Sequence, residues 1–117
     1  MKKILMADIL KNELFCDNIY EMIISAKDIA DEAKAGQFVQ LYTGQGEMLL
    51  PRPISICEID KNNGTLRLLY QVVGSGTNFF STLKAGAKVK TMGPLGNGFT
   101  IDNESIKNHI VIGGGIG

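Results

Sequence analysis

The chain has 117 residues, 44% of them hydrophobic and 21% charged, a size and composition suited to one folded domain and not to a disordered segment. Lys and Arg together number 12, as do Asp and Glu, so the zero net charge argues against a nucleic-acid surface or an anionic-membrane surface. The apolar start, MKKILMADIL, breaks at Asp8, and no apolar run approaches the roughly 18 residues of a membrane span, so a soluble, cytoplasmic protein is expected.

In chain order, a first strand is expected over Lys3–Leu10, extendable to Phe15. A second covers Ile19–Ser25, where Tyr20, Met22 and Ile24 alternate with Glu21 and Ser25. KDIADEAKAGQ then offers a short helical turn closed by Gly36. Phe38–Tyr42 is the third strand, and TGQGE is a loop. Ile54–Ile59 is the fourth, followed by the turn DKNNGT. The fifth, Leu66–Val73, alternates most cleanly: Leu66, Leu68, Tyr70 and Val72 share one face, and Arg67, Leu69, Gln71 and Val73 the other. Thr77–Leu83 is predicted as a short helix with Thr77 at its start and Gly86 past its end, and Lys88–Met92 is the sixth strand. Short strands at this spacing predict an all-β antiparallel sandwich or barrel, closing near GPLGNGF at residues 93–99.

The last residues, HIVIGGGIG, have a different character: an apolar run followed by glycines. They predict the first strand and turn of an α/β domain, so residues 1–100 are expected to form the barrel domain. Residues 101–117 would then form a linker and the start of a truncated second domain. A glycine tail ending a small barrel is the alternative. Cys16 and Cys57 are far apart in sequence, form no CxxC and have no neighbours at metal-ligand spacing. They are expected to be buried thiols.

Four stretches are candidates for chemistry. In PRPISI, Pro51 and Pro53 stiffen the backbone around Arg52, and Pro53 holds Arg52 extended. A guanidinium held that way suits a phosphate or carboxylate, although a surface arginine in a turn would look the same. In GSGT, Gly76 lets a ligand approach the backbone and Thr77 can cap a helix whose N-terminus attracts phosphate; an ordinary capped turn is the alternative. GPLGNGF offers bare backbone to a planar ligand, or simply a turn. Gly113, Gly114, Gly115 and Gly117 resemble a dinucleotide loop without the helix and acidic residue that would complete it. No catalytic triad, carboxylate pair or metal site can be assembled around His109, the single histidine, so no catalytic residue is assigned and any redox chemistry belongs to a cofactor.

Taken in order, RPISI, LLYQVVGSGT, GPLGNGF and VIGGGIG resemble the layout of the ferredoxin–NADP reductase superfamily. Within it the chain is most similar to the electron-transfer subunits of NAD-dependent dihydroorotate dehydrogenases, the PyrK family. The resemblance covers essentially the whole chain. It implies a six-stranded antiparallel Greek-key flavin-binding barrel with one short helix, followed in the full-length protein by an NAD-binding domain and a [2Fe–2S] cysteine cluster. The superfamily's Arg-x-Tyr-Ser motif falls on Arg52, Pro53, Ile54 and Ser55. The resemblance gives Arg52 the FAD pyrophosphate and brings the Ser55 hydroxyl to the reactive edge of the flavin. Ile54 stands where many relatives have a ring-stacking tyrosine; the PyrK-like branch is also aliphatic there. Further flavin contacts are implied at Leu69, Tyr70 and Gln71, and phosphate contacts at Gly76 and Thr77. Strict strand alternation, however, puts Ser55 on the face opposite Arg52 and Ile54.

The implied activity is that of an oxidoreductase component of pyrimidine biosynthesis. Electrons would pass from the catalytic dihydroorotate dehydrogenase subunit, in a heterotetramer, through [2Fe–2S] and FAD to NAD+. The 117 residues alone are expected to lack a productive NAD(H) site. The small subunit of an NADH-dependent ferredoxin:NADP oxidoreductase or sulfide dehydrogenase is the near alternative, and a flavin-free barrel that binds a partner protein is the alternative of another kind.

Overall fold

The structure, a computed structural model, describes residues 2–42, 51–99, 107, 108, 110, 112 and 113. The elements run β1 (Lys3–Cys16), β2 (Ile19–Ser25), α1 (Lys27–Ala30), β3 (Phe38–Tyr42), β4 (Arg52–Asp60), β5 (Thr65–Gln71), α2 (Ser75–Ser81) and β6 (Lys88–Leu95). The strands close into an antiparallel barrel in the order β1-β2-β5-β4-β3-β6. Strands β3, β4 and β5 are successive neighbours and β6 returns beside β3, which is a Greek key.

Period-two alternation fills the barrel. Leu66, Leu68 and Tyr70 of β5 point inward with Ile54 and Ile56 of β4, Val39 and Leu41 of β3, and Met22 and Ile24 of β2. Phe80 of α2 and Ile29 of α1 join the same core from opposite ends of β5. The α1 end is pinned where the Ala26 amide donates to the Gly64 carbonyl, beside a turn whose Gly64 has φ of +68°.

Strand β1 is interrupted by an irregularity after Ile9. Ile9 pairs with Ile24 and Lys11 with Ile23, so Leu10 is an extra residue, a β-bulge. Before it, Ala7 and Ile9 face inward. After it the phase is reversed: Asn12 faces the interior side and Lys11 the outside, where it meets Glu21 at 2.6 Å.

Several boundaries differ from the expectation. Strand β1 runs on to Cys16 because β2 pairs with it that far, and β4 begins at Arg52 because β3 pairs with Arg52 and Pro53. Helix α2 begins at Ser75 with Gly74 as its N-cap, so Thr77 is the third helical residue and not the cap. Strand β6 continues through Gly93 and Pro94 to Leu95, absorbing the first three residues of GPLGNGF. Cys16 and Cys57 are exposed free thiols, not buried ones. Cys16 sits at the tip of the β1–β2 hairpin, and Cys57 projects outward between the inward Ile56 and the exposed Glu58. The TGQGE loop, His109, Gly114, Gly115 and Gly117 lie outside the described residues. Ile110, Ile112 and Gly113 are exposed.

Candidate functional site

The site follows from an incomplete ladder. Strands β4 and β5 pair from Asp60↔Thr65 up to Ile56↔Leu68, with a bulge that leaves Cys57 without an opposite number. Beyond Ile56, among the described residues, β4 pairs with β3 alone: Ser55 with Phe38, Ile54 with Val39, Pro53 with Gln40 and Arg52 with Leu41. Over the same stretch β5 pairs with β2, through Leu69, Tyr70 and Gln71. The barrel wall is thus split between residues 52–55 and 69–71. Pro53, which has no N–H, is suited to a strand edge left unpaired.

The split is a cleft of about 390 Å³. Arg52, Pro53, Ile54, Ser55, Leu69, Tyr70, Gln71 and Thr77 all line it, together with Ile56, Cys57 and Val73. The alternation objection to Ser55 dissolves here. A gap between strands, unlike the face of a sheet, is open to inward residues such as Ile54 and outward ones such as Ser55 at once. Ile56, Cys57 and Val73 escaped the sequence reading, since only the bulge and the exit from β5 bring them to the opening. GPLGNGF supplies none of the lining residues: Gly96 packs on Phe38, and its carbonyl accepts from Gln37 Nε2 at 2.8 Å.

Arg52 crosses from β4 to α2. Its Nη1 donates to the Pro51 carbonyl at 3.3 Å, and its guanidinium lies against Gly76. A Cβ at Gly76 would stand 2.6 Å from Arg52 Nε, so only glycine admits this approach. The Thr77 hydroxyl is engaged by its own turn. It accepts from the amides of Val73 (3.0 Å) and Gly74 (3.1 Å) and lies 3.2 Å from the Gly74 carbonyl, to which it donates. One hydrogen and two lone pairs are all a hydroxyl has, so Thr77 shapes the turn that presents Gly76.

Tyr70 forms the floor of the cleft. Its ring stacks on Tyr20 at 5.8 Å and meets Phe80 edge-on at 6.3 Å. Burial pushes its hydroxyl up to about 12, so the phenol stays protonated and donates to Asn12 Oδ1 at 2.7 Å. On the outer wall beside the closed ladder, Glu21 accepts from Lys11 and from Arg67 Nε, and these hydrogen bonds hold its carboxyl below the usual range. Arg67 Nη1 also reaches Cys57 Sγ at 3.4 Å, which ties the bulge to this ion cluster.

A closed six-stranded antiparallel Greek-key barrel with few helices is the architecture of the ferredoxin–NADP reductase-like flavin-binding barrels. It superposes on a chain of the NADH-dependent reduced ferredoxin–NADP oxidoreductase structure with a TM-score of 0.74 and 26% identity, over 81% of this chain and 34% of that one. The fold is shared with the ferredoxin–NADP+ reductase of Neisseria gonorrhoeae, solved with bound FAD and NADP (TM-score 0.67, 21% identity, 83% of this chain and 39% of that one). By sequence the chain belongs to the family of the electron transfer subunits of dihydroorotate dehydrogenase B (NAD(+)). It is 40% identical to that of Enterococcus faecalis strain OG1RF over 113 residues, 96% of this chain and 43% of the relative. It is 45% identical to that of Listeria monocytogenes serotype 4a over 102 residues, 86% of this chain and 40% of the relative. The chain therefore spans less than half the length of the curated relatives it matches. No family model matches the chain.

Proposed function

We propose that the chain is the FAD-binding barrel of an electron transfer subunit that works beside a catalytic dihydroorotate dehydrogenase subunit. The observation that carries the cofactor is the Arg52 guanidinium laid on the bare Gly76 backbone at the edge of the split wall. A side-chain cation beside glycine backbone that a ligand can approach closely is suited to a pyrophosphate. The remaining lining suits a flat, amphipathic ring: Ile54 and Tyr70 give apolar surface, while Ser55 and Gln71 give hydrogen-bonding groups. When bound, FAD supplies chemistry that the side chains lack, since it exchanges both single electrons and hydride.

The rest of the assignment rests on the relatives' name. In the whole subunit we place a [2Fe–2S] cluster and an NAD+ site, the latter begun by Gly113, Gly114, Gly115 and Gly117, in a cytoplasmic heterotetramer of pyrimidine biosynthesis. A second reading, the small subunit of an NADH-dependent ferredoxin:NADP oxidoreductase, is favoured by the 26% identity and close superposition noted above. The higher identity to dihydroorotate dehydrogenase subunits places it second. Co-expression with each catalytic subunit separates the two, because only the right partner co-purifies.

Titrating FAD into the purified chain tests the cofactor. A bound flavin spectrum is expected, with affinity falling about 10- to 100-fold in Arg52→Ala, the loss of a charge-assisted contact. A folded chain that takes up no FAD would leave the partner-binding barrel as the reading.

A further inference from the structure

We infer that Asn12 is a positioning residue for the cleft, setting the distance between its Tyr70 floor and the α2 wall that carries Gly76. The inference rests on the FAD reading above and adds a residue remote from the motifs that suggested it.

Asn12 lies in β1, a strand that contributes nothing to the lining of the cleft. The Leu10 bulge turns it inward, and there its whole side chain is used. Nδ2 donates to the Phe80 carbonyl at 2.7 Å and to the Leu83 carbonyl at 2.8 Å; Oδ1 accepts from the Tyr70 hydroxyl at 2.7 Å. The orientation of the amide is settled by its partners, since two carbonyls can face only the NH2 end. Phe80 and Leu83 close the far end of α2, the helix whose first turn holds Gly76 and Thr77. One planar amide thus joins the C-terminal end of that helix to the tip of the ring at the cleft floor. Phe80 also packs edge-on against Tyr70, so helix and ring meet through both contacts. Without Asn12, the Leu83 carbonyl loses the amide that donates to it, the phenol loses its acceptor, and the Phe80 carbonyl keeps the Leu83 amide at 3.1 Å. The helix is then free to slide on Tyr70, and Gly76 no longer keeps its register with Arg52.

Three variants test this in the 117-residue chain: Asn12→Ala, Tyr70→Phe and their combination, with FAD affinity measured well below each variant's Tm. The expected loss is about tenfold for Asn12→Ala and severalfold for Tyr70→Phe. The double variant should be no weaker than Asn12→Ala, because the two side chains act through one bond. Asn12→Asp is the fourth arm. Its new carboxylate faces two carbonyls and should bind FAD as weakly as Asn12→Ala at about pH 8. It should recover relative to wild type near pH 5, where protonation restores one donor. Tyr70 is the titratable side chain in contact with that position and stays protonated throughout, while Lys11, Glu13 and Glu21 face outward.

Should Asn12→Ala fail to fold, the pH recovery of Asn12→Asp decides. A purely structural Asn12 would lower Tm and leave the affinity of the folded protein, and its pH dependence, as in wild type; that result overturns the inference. Wild type that takes up no FAD overturns the cofactor reading itself, whereas wild type that binds FAD no better than folded Asn12→Ala overturns only the role of Asn12.

Discussion

The chain has two arginines, Arg52 and Arg67, and they stand at the two ends of one strand pair. Arg67 lies where β4 and β5 are zipped together. It donates to Glu21, lies 3.9 Å from Glu58, reaches the Cys57 sulfur, and carries the Phe15 ring 5.9 Å from its Cζ. Arg52 lies where the same strands part, laid across a gap onto the backbone of another element. The residue type is the same, but one guanidinium ties the barrel wall together and the other borders an opening in it. What separates them is the ladder: a pair of strands hydrogen-bonded to each other has no room for a ligand, and a pair that has lost its bonds does.

Predictions that break this comparison begin with the arginines themselves. Arg52→Ala should cost about 1.5–3 kcal/mol of FAD binding. Arg67→Ala should act on the wall instead, lowering stability by about 2 kcal/mol because the buried Glu21 is left with Lys11. FAD titration and thermal unfolding of the same two proteins check both. Equal effects of the two on affinity would erase the distinction.

Thr77→Val should lower stability by about 1 kcal/mol, since the Val73 and Gly74 amides lose their acceptor. FAD affinity should then fall only as far as the turn that presents Gly76 loosens. Gly76→Ala should sharpen the contrast further. It adds helix propensity of up to about 1 kcal/mol, so Tm should hold or rise, while the new Cβ displaces the Arg52 guanidinium and FAD affinity falls severalfold.

The smallest effect is in acid. Hydrogen bonds from Lys11 and Arg67 depress the Glu21 carboxyl in the folded state. The stability it contributes is therefore complete above the unfolded glutamate value of about 4.3 and fades as pH falls through the lower folded value. Unfolding midpoints measured downward from about pH 5 should drop more steeply in wild type than in Glu21→Gln, which begins less stable.

Much of this was legible before the fold was known. The alternation of Leu66, Leu68 and Tyr70 is inward burial in β5, and Ile19–Ser25 and Phe38–Tyr42 are strands with the bounds expected of them. The motif residues from Arg52 to Ser55 and from Leu69 to Gln71 do line one cleft. The misjudged features were non-local. The expectation of buried thiols rested on the separation of Cys16 and Cys57 and the lack of a CxxC, whereas their exposure depends on which side of a strand or hairpin each falls. Thr77 was expected to cap α2, but the chain leaves β5 two residues earlier than alternation suggested, and the helix starts at Ser75.

Period-two patterning and turn residues were enough to specify six antiparallel strands, because side-chain alternation and backbone freedom at glycine are local properties of the chain. They also marked Arg52 as a held cation, since proline restricts its neighbour whatever surrounds it. Which strands pair, and where a pair comes apart, is decided by residues far apart in sequence. The bulge at Leu10 that turns Asn12 inward, the end of the β4–β5 ladder at Ile56↔Leu68 and the approach of Arg52 to Gly76 each depend on register between distant segments. Register is a property of the closed barrel as a whole: shifting one strand by a single residue would exchange its inner and outer faces and move every partner along it.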